Sequence, residues 1–187
     1  MAELKTYSVT LNSTGFKQIR DVKINIGGTV YEPVDPPPSF YYFVIIDRST
    51  GMVAKDYTVN SVTPLSMLPL ELQNYNDGKY IWLFVTGNMG VTSFPTGKLY
   101  EFFTDELGAG DGFVAFMQVV QQGQYTGLDN FSYTLAAVPG EPKKRVESYY
   151  IGSNPFHGAS LIIQLEPQAE KGKKELLVPV QKAPSKG

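Results

Sequence analysis

The chain has 187 residues, 42% of them apolar and 18% charged, with a formal net charge of −2. These values exclude a disordered polar chain and a basic nucleic-acid binder, and suit one domain of ordinary size with a substantial core. Twelve Tyr, eleven Phe, eighteen Gly and thirteen Pro describe a β-rich fold with many turns. There is no Cys, so a disulfide framework, a thiolate nucleophile and a Cys-ligated zinc are all excluded. No apolar run follows Met1–Tyr7, so no secretory signal is expected, and no segment approaches the length of a membrane span.

Tyr7–Leu11 alternates weakly and predicts a strand, with a turn at Asn12–Gly15. Val22, Ile24 and Ile26 share one face of a second strand, and Gly27-Gly28 supplies a two-residue hairpin before Thr29–Tyr31. Pro36–Pro38 is expected to run as extended polyproline, because prolines bring no backbone donors. Phe40–Ile46 is apolar without alternation, which predicts a central strand covered on both faces. Turn residues Asp47–Gly51 lead back into a strand at Met52–Val59, a hairpin. Leu65, Leu68 and Leu72 have near-helical spacing around Pro69, predicting a short or broken helix, and Asn76–Gly78 ends it. Tyr80–Val85 is a second fully apolar strand and holds the only Trp. From Pro95 to Leu107 the period becomes 3.6, with Leu99, Phe102, Phe103 and Leu107 on one stripe and Gly108 as C-cap. The Val and Phe content of Phe113–Val120 favours a strand, and another is expected near Phe131–Ala136. Residues 139–145 read as an exposed charged loop. Ser148–Gly152 and Ala159–Leu165 close the core, and the Lys/Pro-rich segment 166–187 is expected to be a tail outside it.

This order of motifs resembles a known family. A Gly15-Phe16 turn precedes a strand ending Ile-Asn-Ile-Gly-Gly. An apolar strand then ends in Asp47, Thr50, Gly51 and Val53, and Asp77, Gly78, Lys79, Ile81, Leu83 and Val85 follow. A helix closes with Leu107-Gly108, and Tyr149–Gly152 comes near the end. The pattern is similar to the interleukin-like epithelial–mesenchymal transition inducer (ILEI or PANDER, GG) domain, over roughly residues 7–108 and 148–165. The resemblance implies an α+β, β-rich fold: a compact β-sandwich-type core with one or two short helices. It divides the chain into a domain at 1–165, with an insertion at about 109–147, and a tail at 166–187. It implies no catalysis. Members occur as secreted signalling proteins, as modules beside hyaluronan-degrading domains, as a carbohydrate-binding glycosyltransferase stem, and in bacterial and phage proteins. The lack of a signal and of cysteines points to a bacterial or phage type.

Little in the chain suggests chemistry. His157 is the only histidine, and there is no Gly-x-Ser-x-Gly elbow to go with it. Gly108–Gly112 follows a helix and so cannot cradle a dinucleotide phosphate, and Gly97-Lys98 lacks P-loop spacing. Asp105 and Glu106 are adjacent on a helix and point about 100° apart, unsuited to an acid–base pair across a substrate. Asp47 reads as a turn cap, with a metal site beside Asp56 the alternative. No catalytic residue, cofactor or metal is expected. The expected function is a protein–protein interaction or structural module, a subunit of a larger assembly such as a phage virion or tail. The alternative is a carbohydrate-binding module, since tyrosine suits both sugar stacking and protein interfaces. Candidate interaction residues are Tyr41, Tyr42, Tyr125, Tyr149 and Tyr150, with Tyr133 also counted among exposed aromatics, and Leu176, Leu177 and Val178, which can add a strand to a neighbour's sheet. Partners are other protein subunits or a glycan, with no nucleic acid and no membrane span.

Overall fold

The computed structural model describes residues 4–14, 21–36, 39–60, 66–87, 94–121, 130–152, 154, 157–169 and 174–182. Along them run β1 (Tyr7–Ser13), β2 (Lys23–Ile26), β3 (Thr29–Tyr31), β4 (Phe40–Asp47), β5 (Val53–Asn60) and the single helical turn α1 (Leu70–Gln73). Next come β6 (Tyr80–Gly87), α2 (Gly97–Glu101), a π-helical turn (Phe102–Glu106) and α3 (Asp111–Gln121). The last strands are β7 (Asn130–Ala137), β8 (Arg145–Gly152), β9 (Ala159–Gln168) and β10 (Leu176–Gln181). Two five-stranded sheets form, ordered β10-β9-β1-β2-β3 and β5-β4-β6-β7-β8, and every pairing is antiparallel.

The unbroken apolar runs explain the layering. β4 and β6 are buried at nearly every position, so both faces of the second sheet need cover. One face, with Tyr42, Val44, Ile46, Leu83 and Val85, packs on Val9, Leu11, Ile24, Ile163 and Leu165 of the first sheet. The other, with Tyr41, Phe43, Trp82, Phe84 and Tyr133, packs on Leu72, Phe102, Phe103, Phe113 and Phe116 of the helical segments. The result is a β-sandwich with a third, helical layer. The first sheet alternates instead, burying Val9 and Leu11 and turning Ser8 outward. Its β2–β3 hairpin turns at Gly27 and Gly28, both at positive φ, as a two-residue turn matched to strand twist requires.

Several elements differ from the sequence expectation. The predicted turn at Asn12–Gly15 gives way to strand through Ser13, which is buried. Pro69 stands at the start of α1, not inside it, and Leu65 and Pro37–Pro38 lie outside the described residues. The helix predicted over 95–107 starts at Gly97 and loosens into the π-helical turn, where Leu107 N–H reaches the Phe102 carbonyl at 3.1 Å. The wider turn seats two consecutive side chains inward: Phe102 lies 5.0 Å from Trp82 and Phe103 lies 4.7 Å from Phe84, ring centre to ring centre.

Phe113–Val120 is not a strand but most of α3, the longest helix among the described residues. Phe113, Phe116 and Met117 fall on one helical stripe against the aromatic layer, and this spacing outweighs the strand propensity of Val and Phe. The region 109–147 also supplies β7, an interior strand. The expectation of a tail over 166–187 fails for 176–181, because β10 pairs with β9 and buries Leu177 and Val178. Pro179 is tolerated there because the strand is an edge.

Leu177→Ala should therefore destabilise the fold by about 3 kcal/mol in denaturant unfolding. Ile162→Ala, on the outer face of the same sheet, should stay within about 0.5 kcal/mol.

Candidate functional site

The tyrosine candidates do not form a surface. Tyr41 and Tyr42 are buried on opposite faces of β4, as consecutive strand residues must be when both faces are covered. Tyr41 lies against Phe84 and Phe103, and the Tyr42 hydroxyl donates to Asp56 at 3.1 Å. Tyr133 is buried as well. Tyr149 is 45% exposed, its ring lying over Gly112, where a Cβ would collide with it. Tyr150 is half-buried, 5.1 Å from the exposed His157 ring. Tyr125 lies outside the described residues. Leu176, Leu177 and Val178 come together, but on their own sheet, not as a free strand.

Polar groups are drawn into ties within the chain. Arg48, only 2% exposed, is the centre of the largest. Its Nε donates to the Leu177 carbonyl at 2.8 Å, and its Nη1 donates to Gly78 O and to Glu141 Oε1, the latter at 2.7 Å. The Arg48 backbone also accepts from Leu177 N–H at 3.0 Å and donates to Lys79 O at 2.9 Å. One side chain thus holds β10, the turn before β6 and the 139–145 loop together. That loop is accordingly not a free charged loop: Pro139 is buried and Glu141 bridges Arg48 and Lys144.

At the other end, the Ser13 hydroxyl lies 2.7 Å from Thr86 O and 2.8 Å from the Thr86 hydroxyl. Both hydroxyls accept from Tyr133 N–H, at 3.0 and 2.9 Å. Glu147 caps α3, accepting from Gly110 and Asp111 N–H at 3.0 and 3.1 Å and from the Tyr133 hydroxyl. Asp47 is the turn cap, accepting from Ser49 N–H and hydroxyl, both at 2.7 Å, and from Thr50 N–H at 3.1 Å. Asp56 stands opposite Val44, three residues along β4 from Asp47. Among the described residues no group of three or more His, Asp or Glu side chains could hold a metal ion.

Two adjoining recesses lie open on the helical side. A recess of about 390 Å³ is lined by Tyr57, Met67, Leu68, Pro69, Leu70, Glu71 and Gln73. A second, of about 620 Å³, shares Met67, Leu68 and Gln73 with it and is walled by Lys98, Glu101, Phe102, Asp105 and Glu106. Met67 is 56% and Leu70 78% exposed. Tyr57 projects from β5, which among the described residues has a strand partner on one side only. Sequence reasoning missed this groove because Met67 and Leu70 fall off the Leu65/Leu68/Leu72 stripe. Apolar residues off the buried stripe were the available signal.

No family model matches the chain, and no curated protein matches it.

Two outcomes follow from the ties. Burial opposes ionisation of Glu141, but hydrogen bonds and charge from Lys144 and Arg48 outweigh it and hold its carboxyl below the ordinary 4.5. Its stabilisation is therefore whole above that value and lost as pH falls through the lower folded-state value. Arg48→Ala should cost about 3 kcal/mol at neutral pH and flatten the acid limb of the stability–pH curve. Burial, above all, raises the pKa of Tyr41, Tyr42 and Tyr133, with Asp56 adding to the effect at Tyr42 and Glu147 at Tyr133. These phenols stabilise the fold below the ordinary value of 10.0, and that contribution is lost at higher pH as they are forced to ionise. In an alkaline absorbance titration they should ionise only together with unfolding.

Proposed function

We propose that the chain is a protein–protein interaction module, a subunit of a larger assembly with no catalytic chemistry of its own. The observation that carries this reading is the exposed apolar pair Met67 and Leu70, set in a groove beside β5, an edge strand among the described residues. Exposed apolar side chains that line a concavity, unlike scattered ones, mark places where another molecule is received. The Arg48, Ser13 and Glu147 groups, the ones with the most convergent polar contacts, support the same view because each is engaged in holding layers together. Burial of Tyr41, Tyr42 and Tyr133 removes three of the six tyrosines that sugar stacking would use.

The test is a photo-crosslinking residue at Met67 in cells of the source organism, with Val30 and Ile162 on the first sheet as comparison positions. Discrete protein adducts from Met67 are expected. No protein adduct from any of the three positions, together with glycan binding by the purified chain, would overturn the reading.

A further inference from the structure

We infer that the helical-side groove receives an extended segment of a protein partner in which a large apolar side chain is flanked by lysine or arginine. This rests on the interaction-module reading and adds the chemistry of what is bound.

The two recesses differ in character. The one at Tyr57, Pro69 and Leu70 is bounded by rings and aliphatic carbons, with Glu71, hydrogen-bonded to Tyr57, at its margin. The one next to it is walled by Glu101, Asp105 and Glu106, with Lys98 the single cation of its lining. The linings of the two recesses together thus hold four carboxylates and one lysine. None of the four forms an ion pair with another described residue; the ion pairs among the described residues join Arg48, Lys144, Lys79 and Arg145 to Glu141, Asp77 and Glu147. The excess negative potential favours a cationic occupant and disfavours an acidic one. Met67, shared by both recesses, is an adaptable apolar floor.

Geometry gives the occupant its extended form. Tyr57 reaches the apolar recess from β5, whose outer edge has no strand neighbour among the described residues. A segment laid along such an edge turns alternate side chains to one face, about 7 Å apart. The inferred segment sets an apolar side chain in the first recess, and the lysine or arginine next to it on the same face meets the carboxylates of the second. A neutral glycan would leave the net negative charge of the groove uncompensated.

The probe is the peptide Thr-Lys-Thr-Leu-Thr-Lys-Thr, titrated to millimolar concentration into the full, nitrogen-15-labelled chain. Glutamate-for-lysine and alanine-for-leucine versions serve as controls. Amide shifts should cluster at Tyr57, Leu68–Gln73 and Glu101–Glu106, weaken in raised salt, and be absent with the glutamate peptide. The double change Glu101→Lys and Asp105→Lys should reduce affinity about tenfold, roughly threefold for each exposed charge pair. Val30→Lys, on the far sheet, should leave it unchanged. Equal binding of the glutamate peptide, shifts centred elsewhere, or no shifts at all would each overturn the inference. Should Met67 still crosslink a protein in cells while the basic peptide fails, the module reading stands and only the partner's chemistry is wrong.

Discussion

The structure depends on one constraint: β4 and β6 are apolar on both faces, so neither face can meet water. A single sandwich partner satisfies only half of this requirement. The first sheet covers the side of Tyr42, Val44 and Leu83, and the helical segments must cover the side of Tyr41, Phe43 and Phe84. The third layer follows from the sequence of two strands. So does the π-helical turn, which brings Phe102 and Phe103 inward together over Trp82 and Phe84. Burial of this many rings favours tilted and offset pairs, and the layer is built of them.

Dry faces leave the backbone ends of the layers to be satisfied, and the polar residues sit there. β4 and β6 run antiparallel with Phe40 opposite Gly87 and Asp47 opposite Tyr80. At the Gly87 end, Ser13 from the first sheet inserts its hydroxyl between β6 and β7, beside the bridge from Thr14 to Gly87. At the Asp47 end, Arg48 reaches across to the carbonyl of Leu177 on β10. A hydroxyl at one end and a guanidinium at the other thus add to the backbone ties between the two sheets. A guanidinium suits the second place because its fork serves several acceptors at once. Such groups cost much to disturb and have little freedom to do anything else.

Much of this was legible from residue pattern. The runs Phe40–Ile46 and Tyr80–Val85 announce central strands by lacking alternation, and Gly27-Gly28 announces its hairpin. The β-rich class follows from these, whereas the sandwich-type core was implied by the family resemblance. The failures have a common cause in tertiary context. Val and Phe in 113–120 suggest a strand until Phe113, Phe116 and Met117 are read as one helical stripe. Lysine and proline around Leu176–Val178 suggest a tail, because composition is blind to an edge strand that buries only three side chains. Tyr41 and Tyr42 look like a surface pair only if the double covering of their own strand is forgotten. Arg48 gives no local signal, since its partners lie 30, 93 and 129 residues away.

With the polar groups engaged at the layer ends, the helical layer both completes the core and forms the groove proposed to take a partner. The most direct measurement is hydrogen exchange of the full chain at neutral pH. If the two-sided covering is obligatory, amides of β4, β6 and α3 exchange together at the slowest rate, by global unfolding. Fast exchange across 97–121 with β4 and β6 still protected would contradict it, showing that the strands hold without their helical cover.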